Sequence, residues 1–169
     1  VWMHRSDTVL VPQHAADYQG EFLYMEEGQV FDLGGRKLEV AWMPGHTPGS
    51  VVLLDKANGD CYSGDAFGSG EVWLQCVPMS PIATFHESCC RMEKLMKEGH
   101  IKDIWCGHYP YLKSSLPLAY IQTMIRISHR LMNGDQEGSE PYSHYFITMP
   151  PTARKLAEGR AMIEYDSTY

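Results

Sequence analysis

An α+β fold is what this sequence predicts, and three observations predict it. Two pairs of apolar strand-like runs are joined by glycine turns. Two longer stretches carry the start and stop signals of helices. Those helices fall among hairpins and single strands in no strict alternation, which is the order of a layered α+β chain.

The length of 169 residues allows one core and one domain, 1–169. Apolar residues make up 44% and charged residues 21%, as in ordinary globular proteins. No apolar run approaches the roughly 18 residues that span a bilayer, so no membrane partner is expected. A net charge of −7 argues against nucleic acid, which wants a basic stripe. The two arginines Arg126 and Arg130 stand at helical spacing and read as a solvated face.

Taken in order, Val9–Val11 closed by Pro12 reads as a strand end, and Ala15 to Tyr24 as a helical turn or loop. Val30–Leu33, Gly34-Gly35 and Lys37–Met43 read as a hairpin. Ser50–Asp55 and Cys61–Ser63 form a second one around Asn58-Gly59-Asp60, the strongest turn signal in the chain. Thr84 is the expected N-cap of a helix reaching about Glu98, with Glu87 completing a capping box and Gly99 as the stop. Met92, Leu95 and Met96 recur on it at helical spacing and mean core. Ile101–Cys106 reads as a buried strand. Ser115 is expected to cap a second helix, with Pro117 early in it and Asn133-Gly134 at its end. A short third helix is expected after Pro151, and a last strand over Arg160–Tyr165.

The cysteines are Cys61, Cys76, Cys89, Cys90 and Cys106. An odd count with no C-x-x-C pair favours a reducing compartment, so the cytoplasm is the expected location. Cys89-Cys90 has no base at a recognisable spacing and is not read as a nucleophile. The chain starts at Val1 with neither an initiator methionine nor a signal peptide, and its natural N-terminus is expected upstream.

Three segments share one layout. Val40-Ala41-Trp42-Met43 runs into Pro44-Gly45-His46, Cys61-Tyr62-Ser63 into Gly64-Asp65, and Ile104-Trp105-Cys106 into Gly107-His108. Each is an apolar strand, a glycine and one metal-ligand residue. Strand ends hold side chains more firmly than loops do, and two imidazoles with a carboxylate suit zinc, or iron and manganese.

Pro44-Gly45-His46-Thr47-Pro48-Gly49-Ser50 resembles the P-G-H-T-P-G-S segment of metallo-β-lactamase-fold hydrolases, which include glyoxalase II-like thioesterases and lactonases. Ser63-Gly64-Asp65-Ala66-Phe67 looks like that family's S-G-D-x-[FL], and Cys106-Gly107-His108 like its terminal G-H. The resemblance covers at least Val30 to His108. It implies an αββα sandwich, of which this chain would be the C-terminal half, one mixed sheet with flanking helices. It also implies that His46 completes the first metal's histidine set, that Asp65 bridges two zinc ions as the catalytic carboxylate, and that His108 ligates the second. In the family a hydroxide held by both metals attacks an ester, thioester, lactone or amide carbonyl of a small-molecule substrate. Thr47 and Ser50 would shape the turn and support His46, and Tyr109 would touch the substrate.

The family's H-x-H-x-D-H signature is absent: His4 and Asp7 do not match it, and His14 stands alone. The isolated chain is therefore expected to hold metal weakly. The strands with Val40, Trp42, Val52, Leu54, Ile104 and Trp105 are expected to meet either a missing N-terminal portion or a second copy. His144 reads as a packing residue, and His86, His100 and His129 as structural or solvated. Two other readings stand beside the hydrolase. One is a diiron oxidoreductase of the same fold, to which Gly64-Asp65-Ala66-Phe67-Gly68 bears some likeness. The other is a fragment that keeps the fold without the chemistry.

Overall fold

Two glycine turns start the main sheet. In the computed structural model, which describes residues 1–74, 81–108, 114–144 and 148–168, β3 (Val30–Asp32) pairs antiparallel with β4 (Lys37–Trp42), and β5 (Val51–Asp55) with β6 (Asp60–Gly64). β4 also pairs with β5, and β8 (Asp103–Cys106) joins β6 in parallel, giving the order β3-β4-β5-β6-β8. The Asn58-Gly59 turn is held by the buried carboxylate of Asp55. It accepts from the Asn58 amide at 2.8 Å and from the Asn58 backbone N–H at 3.2 Å, and it pairs with Arg36. The Asn58 side chain first, then its backbone and Arg36, hold this carboxyl below the usual range despite burial.

A second sheet has the order β7-β11-β10-β9. Its members are β7 (Glu71–Trp73), β9 (Glu140–Pro141), β10 (Ala153–Glu158) and β11 (Ala161–Asp166). A parallel pair, β1 (Trp2–His4) with β2 (Leu23–Met25), stands apart. Between β1 and β2 lie a 3-10 turn, Arg5–Leu10, and a single helical turn α1, Val11–His14. Two longer helices, α2 (Ile82–Lys97) and α3 (Leu118–Met132), pack on each other.

Strand alternation decides what the helices cover. Val52, Leu54, Cys61 and Ile104 share one face and are at most 2% exposed. They belong to one core cluster with Phe85 and Met92 of α2, Ile121, Met124 and Ile127 of α3, and Leu156 and Ile163 of the second sheet. Leu53, Tyr62 and Trp105, in register on the opposite face, are only half-buried. The six strand residues expected to meet a partner therefore divide. Val52, Leu54 and Ile104 face the helices, whereas Val40, Trp42 and Trp105 look the other way, Val40 fully buried and Trp42 40% exposed.

The α+β class stands, with corrections to its parts. One mixed sheet was expected, and the described residues form two larger sheets and a two-stranded one. Val9–Val11 is not a strand end, because Pro12 sits in the first turn of α1, where its fixed φ suits a helix. Residues 15–24 end in β2 rather than remaining a turn or loop throughout. Pro81, not Thr84, is the N-cap of α2, and the Thr84 N–H already donates to the Pro81 carbonyl at 2.9 Å. Pro117, not Ser115, caps α3. The Ser115 hydroxyl is taken by Asp103 at 2.5 Å, and Leu116 bridges to Ile104 in the sheet. The stretch after Pro151 is β10, because pairing with β11 satisfies its backbone and buries Ala153 and Leu156. The hairpins, β8, the Asn133-Gly134 stop and the last strand agree with the sequence reading. Among the described residues no helix is long and apolar enough to cross a membrane.

Glu164 on β11 is fully buried, and neither carboxyl oxygen has a hydrogen bond of good geometry. Burial first, then the charge of nearby Glu71, push it up to about 8, so it is mostly a neutral acid at pH 7. An unfolded chain releases that proton near 4.5. Stability from Glu164 is thus full below about 4.5 and is lost as pH rises through about 8. Thermal melts between these limits should show Tm falling with pH, by a loss on the order of a few kcal/mol overall. Glu164→Gln should flatten that slope, and an unchanged slope in the variant would show that another group causes it.

Candidate active site

Asp65 follows β6 and His108 follows β8, and these strands are parallel neighbours whose ends lie side by side. The pairing register shifts between Tyr62 and Gly64, and Gly64 takes φ 50°, turning the chain out of the strand. The Gly107 N–H then donates to the Gly64 carbonyl at 2.8 Å. This brings Asp65 Oδ1 and His108 Nε2 within 3.3 Å of each other, both about half exposed. Gly107 eases the approach: a Cβ there would sit 2.8 Å from Asp65 Oδ1 and 3.3 Å from the Gly64 carbonyl carbon, so the carboxylate would have to shift.

His46 leaves β4 through the Pro44-Gly45 turn. Its Nδ1 lies 2.9 Å from the carbonyl oxygen of Trp73 on β7. A carbonyl only accepts, so Nδ1 carries the proton and Nε2 keeps its lone pair for a ligand. His46 and Asp65 line one cleft of about 350 Å³, together with His4 and Asp7. Of the three ligands read from sequence, Asp65 and His108 are in contact and His46 shares the cleft with Asp65. Among the described residues, however, no three His, Cys, Asp or Glu side chains are drawn together closely enough to enclose a metal ion.

The turn carrying His46 is braced from an unexpected side. Asp7 accepts from the Thr47 hydroxyl at 2.9 Å and from the Gly49 N–H at 2.6 Å. The Ser50 hydroxyl accepts from the Thr47 N–H at 3.0 Å and lies 2.9 Å from the Thr47 hydroxyl. Thr47 and Ser50 thus shape the turn through each other and Asp7. Tyr109 lies outside the described residues. His144 packs edge-on against Trp73, ring centres 4.8 Å apart. Sequence reasoning missed three participants: Asp7; the Trp73 carbonyl; and His4, which lines the cleft and stacks on Trp42 at 5.1 Å. Asp7 lies 40 residues from Thr47, and no local pattern announces such a bond.

Strand ends that present histidine and aspartate to one cleft, on a mixed sheet backed by helices, are what the resemblance to metallo-β-lactamase-fold proteins implies. Residues 3–86 match the family described as the Metallo-beta-lactamase superfamily, and the chain belongs to that superfamily. Among curated proteins it is similar to the acyl-coenzyme A thioesterase MBLAC2. Identity with the Homo sapiens protein is 30% over 115 residues, which is 64% of this chain and 41% of the relative. Identity with the Gallus gallus protein is 34% over 85 residues, 50% of this chain and 30% of the relative. The chain therefore spans less than half the length of these relatives. Among solved structures it is similar to TTHA1623 in a di-iron-bound form, with TM-score 0.53 and 25% identity over 70% of this chain and 60% of that one. It also shares the fold of the family protein TTHA1429 from Thermus thermophilus, with TM-score 0.50 and 16% identity over 80% of this chain and 52% of that one.

Replacing Asp7 by Ala leaves the Gly49 N–H and the Thr47 hydroxyl without their acceptor. Denaturant unfolding should show a loss of about 1–3 kcal/mol. A loss below roughly 0.5 kcal/mol would mean that solvent replaces Asp7 without cost.

Proposed function

We propose that this chain carries part of the active site of a metal-dependent thioester hydrolase acting on acyl-coenzyme A. The observation that carries the reading is the meeting of Asp65 and His108 at paired strand ends, in a chain similar to acyl-coenzyme A thioesterases. The donor set fits a divalent cation: an exposed carboxylate beside an imidazole, and a second imidazole whose tautomer leaves Nε2 available. His46 would hold one metal, His108 another, and Asp65 both. When bound, such ions supply Lewis acidity, lowering the pKa of water and polarising a carbonyl. The preferred metal is zinc, with manganese or iron as alternatives; the similar TTHA1623 was solved in a di-iron-bound form.

The chain's own residues then have defined tasks. Trp73 orients His46 through its carbonyl, and Asp7, Thr47 and Ser50 keep the turn from moving away from Asp65. Gly107 lets the Asp65 carboxylate approach the neighbouring strand end. Three ligands divided between two metals leave each short of the usual four, so further ligands would come from residues beyond these three. They would come from His4, which lines the same cleft, or from an upstream portion or a second copy packed on the half-buried face of Leu53, Tyr62 and Trp105.

The test is release of free coenzyme A thiol from an acyl-coenzyme A by the metal-loaded protein. Asp65→Asn should lower the rate by more than the 10–100-fold that losing a supporting residue costs, with the circular-dichroism spectrum unchanged. Hydrolysis at the original rate in that variant would overturn the reading. Elemental analysis of the chain alone should find less than two tightly held metals per molecule.

A further inference from the structure

A second cluster of ligand-type side chains lies away from the cleft, where α2 packs on α3. On α2, His86 and Cys90 are four residues apart and so share one helix face. The Cys90 sulfur lies 3.5 Å from His86 Nε2. His86 Nδ1 lies 2.9 Å from the hydroxyl of Ser128, a fully buried residue of α3. That hydroxyl itself donates to the Met124 carbonyl at 2.7 Å. Ser128 can therefore only accept from His86, so Nδ1 bears the proton and Nε2 faces the sulfur with a lone pair. A fixed tautomer with its second nitrogen bonded to a supporting group is how proteins orient a metal-ligating histidine.

The bite distance fits the same use. Zinc bonds of about 2.3 Å to sulfur and about 2.0 Å to nitrogen, at a tetrahedral angle, put the two donors roughly 3.5 Å apart. The third group is His129 of α3, exposed, with its ring centre 6.0 Å from that of His86. Two imidazoles on one tetrahedral zinc have ring centres roughly 5 Å apart, so the three groups do not enclose an ion as they stand, and the exposed His129 has to rotate inward to complete the set. We propose that His86, Cys90 and His129 form a surface site for a zinc-class divalent cation, with water as the fourth ligand.

The surroundings favour a cation over a free nucleophile. Partial burial, then the charges of Glu93 and Glu87, push the Cys90 thiol up, which disfavours a bare thiolate. Glu93 is already paired with Lys97 at 2.7 Å, so the attraction for a divalent ion comes from Glu87, and binding the ion drives the Cys90 proton off to solvent, one proton per ion. Cys90 is exposed and four residues from a base held by α3, which the Cys89-Cys90 pair viewed as a dipeptide does not suggest. The site shares no residue with the cleft of His46 and Asp65, so it stands or falls independently of the proposed hydrolase.

Cobalt(II) titration under a non-thiol reductant tests it, because a thiolate ligand adds a near-ultraviolet charge-transfer band that oxygen and nitrogen ligands lack. The chain should develop this band, and Asp65→Asn should keep it. Cys90→Ser, a change at an exposed position, should abolish it. His129→Ala should weaken binding at least about tenfold, the lower end of what loss of even a supporting residue costs. No band in the parent chain, an undiminished band in Cys90→Ser, or unchanged affinity in His129→Ala would each overturn the proposal.

Discussion

Parallel pairing of β6 with β8 is the constraint on which the rest of the structure depends. Parallel strands cannot be joined by a tight turn, so the chain between them must leave the sheet and return, and α2 forms much of that excursion. Because both strands run the same way, their C-terminal ends emerge together, and each end leads into a polar residue beside a glycine. An antiparallel arrangement would send Asp65 and His108 to opposite edges. The helix that makes the connection also touches the third strand end. The Ser88 hydroxyl donates to the Pro44 carbonyl at 2.7 Å, and Arg91 donates to the Trp42 carbonyl at 3.0 Å. The crossover therefore braces the turn that presents His46.

The second sheet contributes by another route. β7 pairs with β11 over only three residues, Glu71 to Trp73, yet the last of these gives its carbonyl to His46. That short strand is secured by a buried edge that includes Val72 and Ile163, and by Glu164 opposite Trp73 in register. Lys155 faces Glu164 across β10 but is paired with Glu140, at 3.3 Å, on the next strand. A buried acid with Glu71 and Tyr142 nearby, and no cation bound to it among the described residues, survives in this position by staying protonated. The carbonyl that holds one cleft histidine is thus supplied by a short strand of the second sheet, beside a buried acid.

Much of the framework was legible because its signals are local. Asn58-Gly59 and Gly34-Gly35 announce tight turns, so both hairpins could be placed before any contact was known. The strand–glycine–ligand layout named His46, Asp65 and His108 as one group, and Asp65 and His108 do meet. The His86–Cys90 spacing was legible in principle, since four residues on a helix always share a face. What made it a geometry was Ser128, which comes from another helix.

The sequence by itself determined turn positions, the helix stop at Asn133-Gly134, the apolar faces and the residue types at the strand ends. These depend on backbone preference and on periodicities of a few residues. Only the tertiary structure decided that Asp7 braces the His46 turn, that Trp73 sets its tautomer, and that residues after Pro151 extend as β10 rather than forming the expected helix. It also moved both helix starts to prolines, because the serine and threonine expected as caps were engaged elsewhere or already inside the first turn. The reason is common to all of these. A hydrogen bond between residues tens of positions apart leaves no trace in local spacing. A short segment adopts whichever conformation lets its neighbours in space satisfy its backbone.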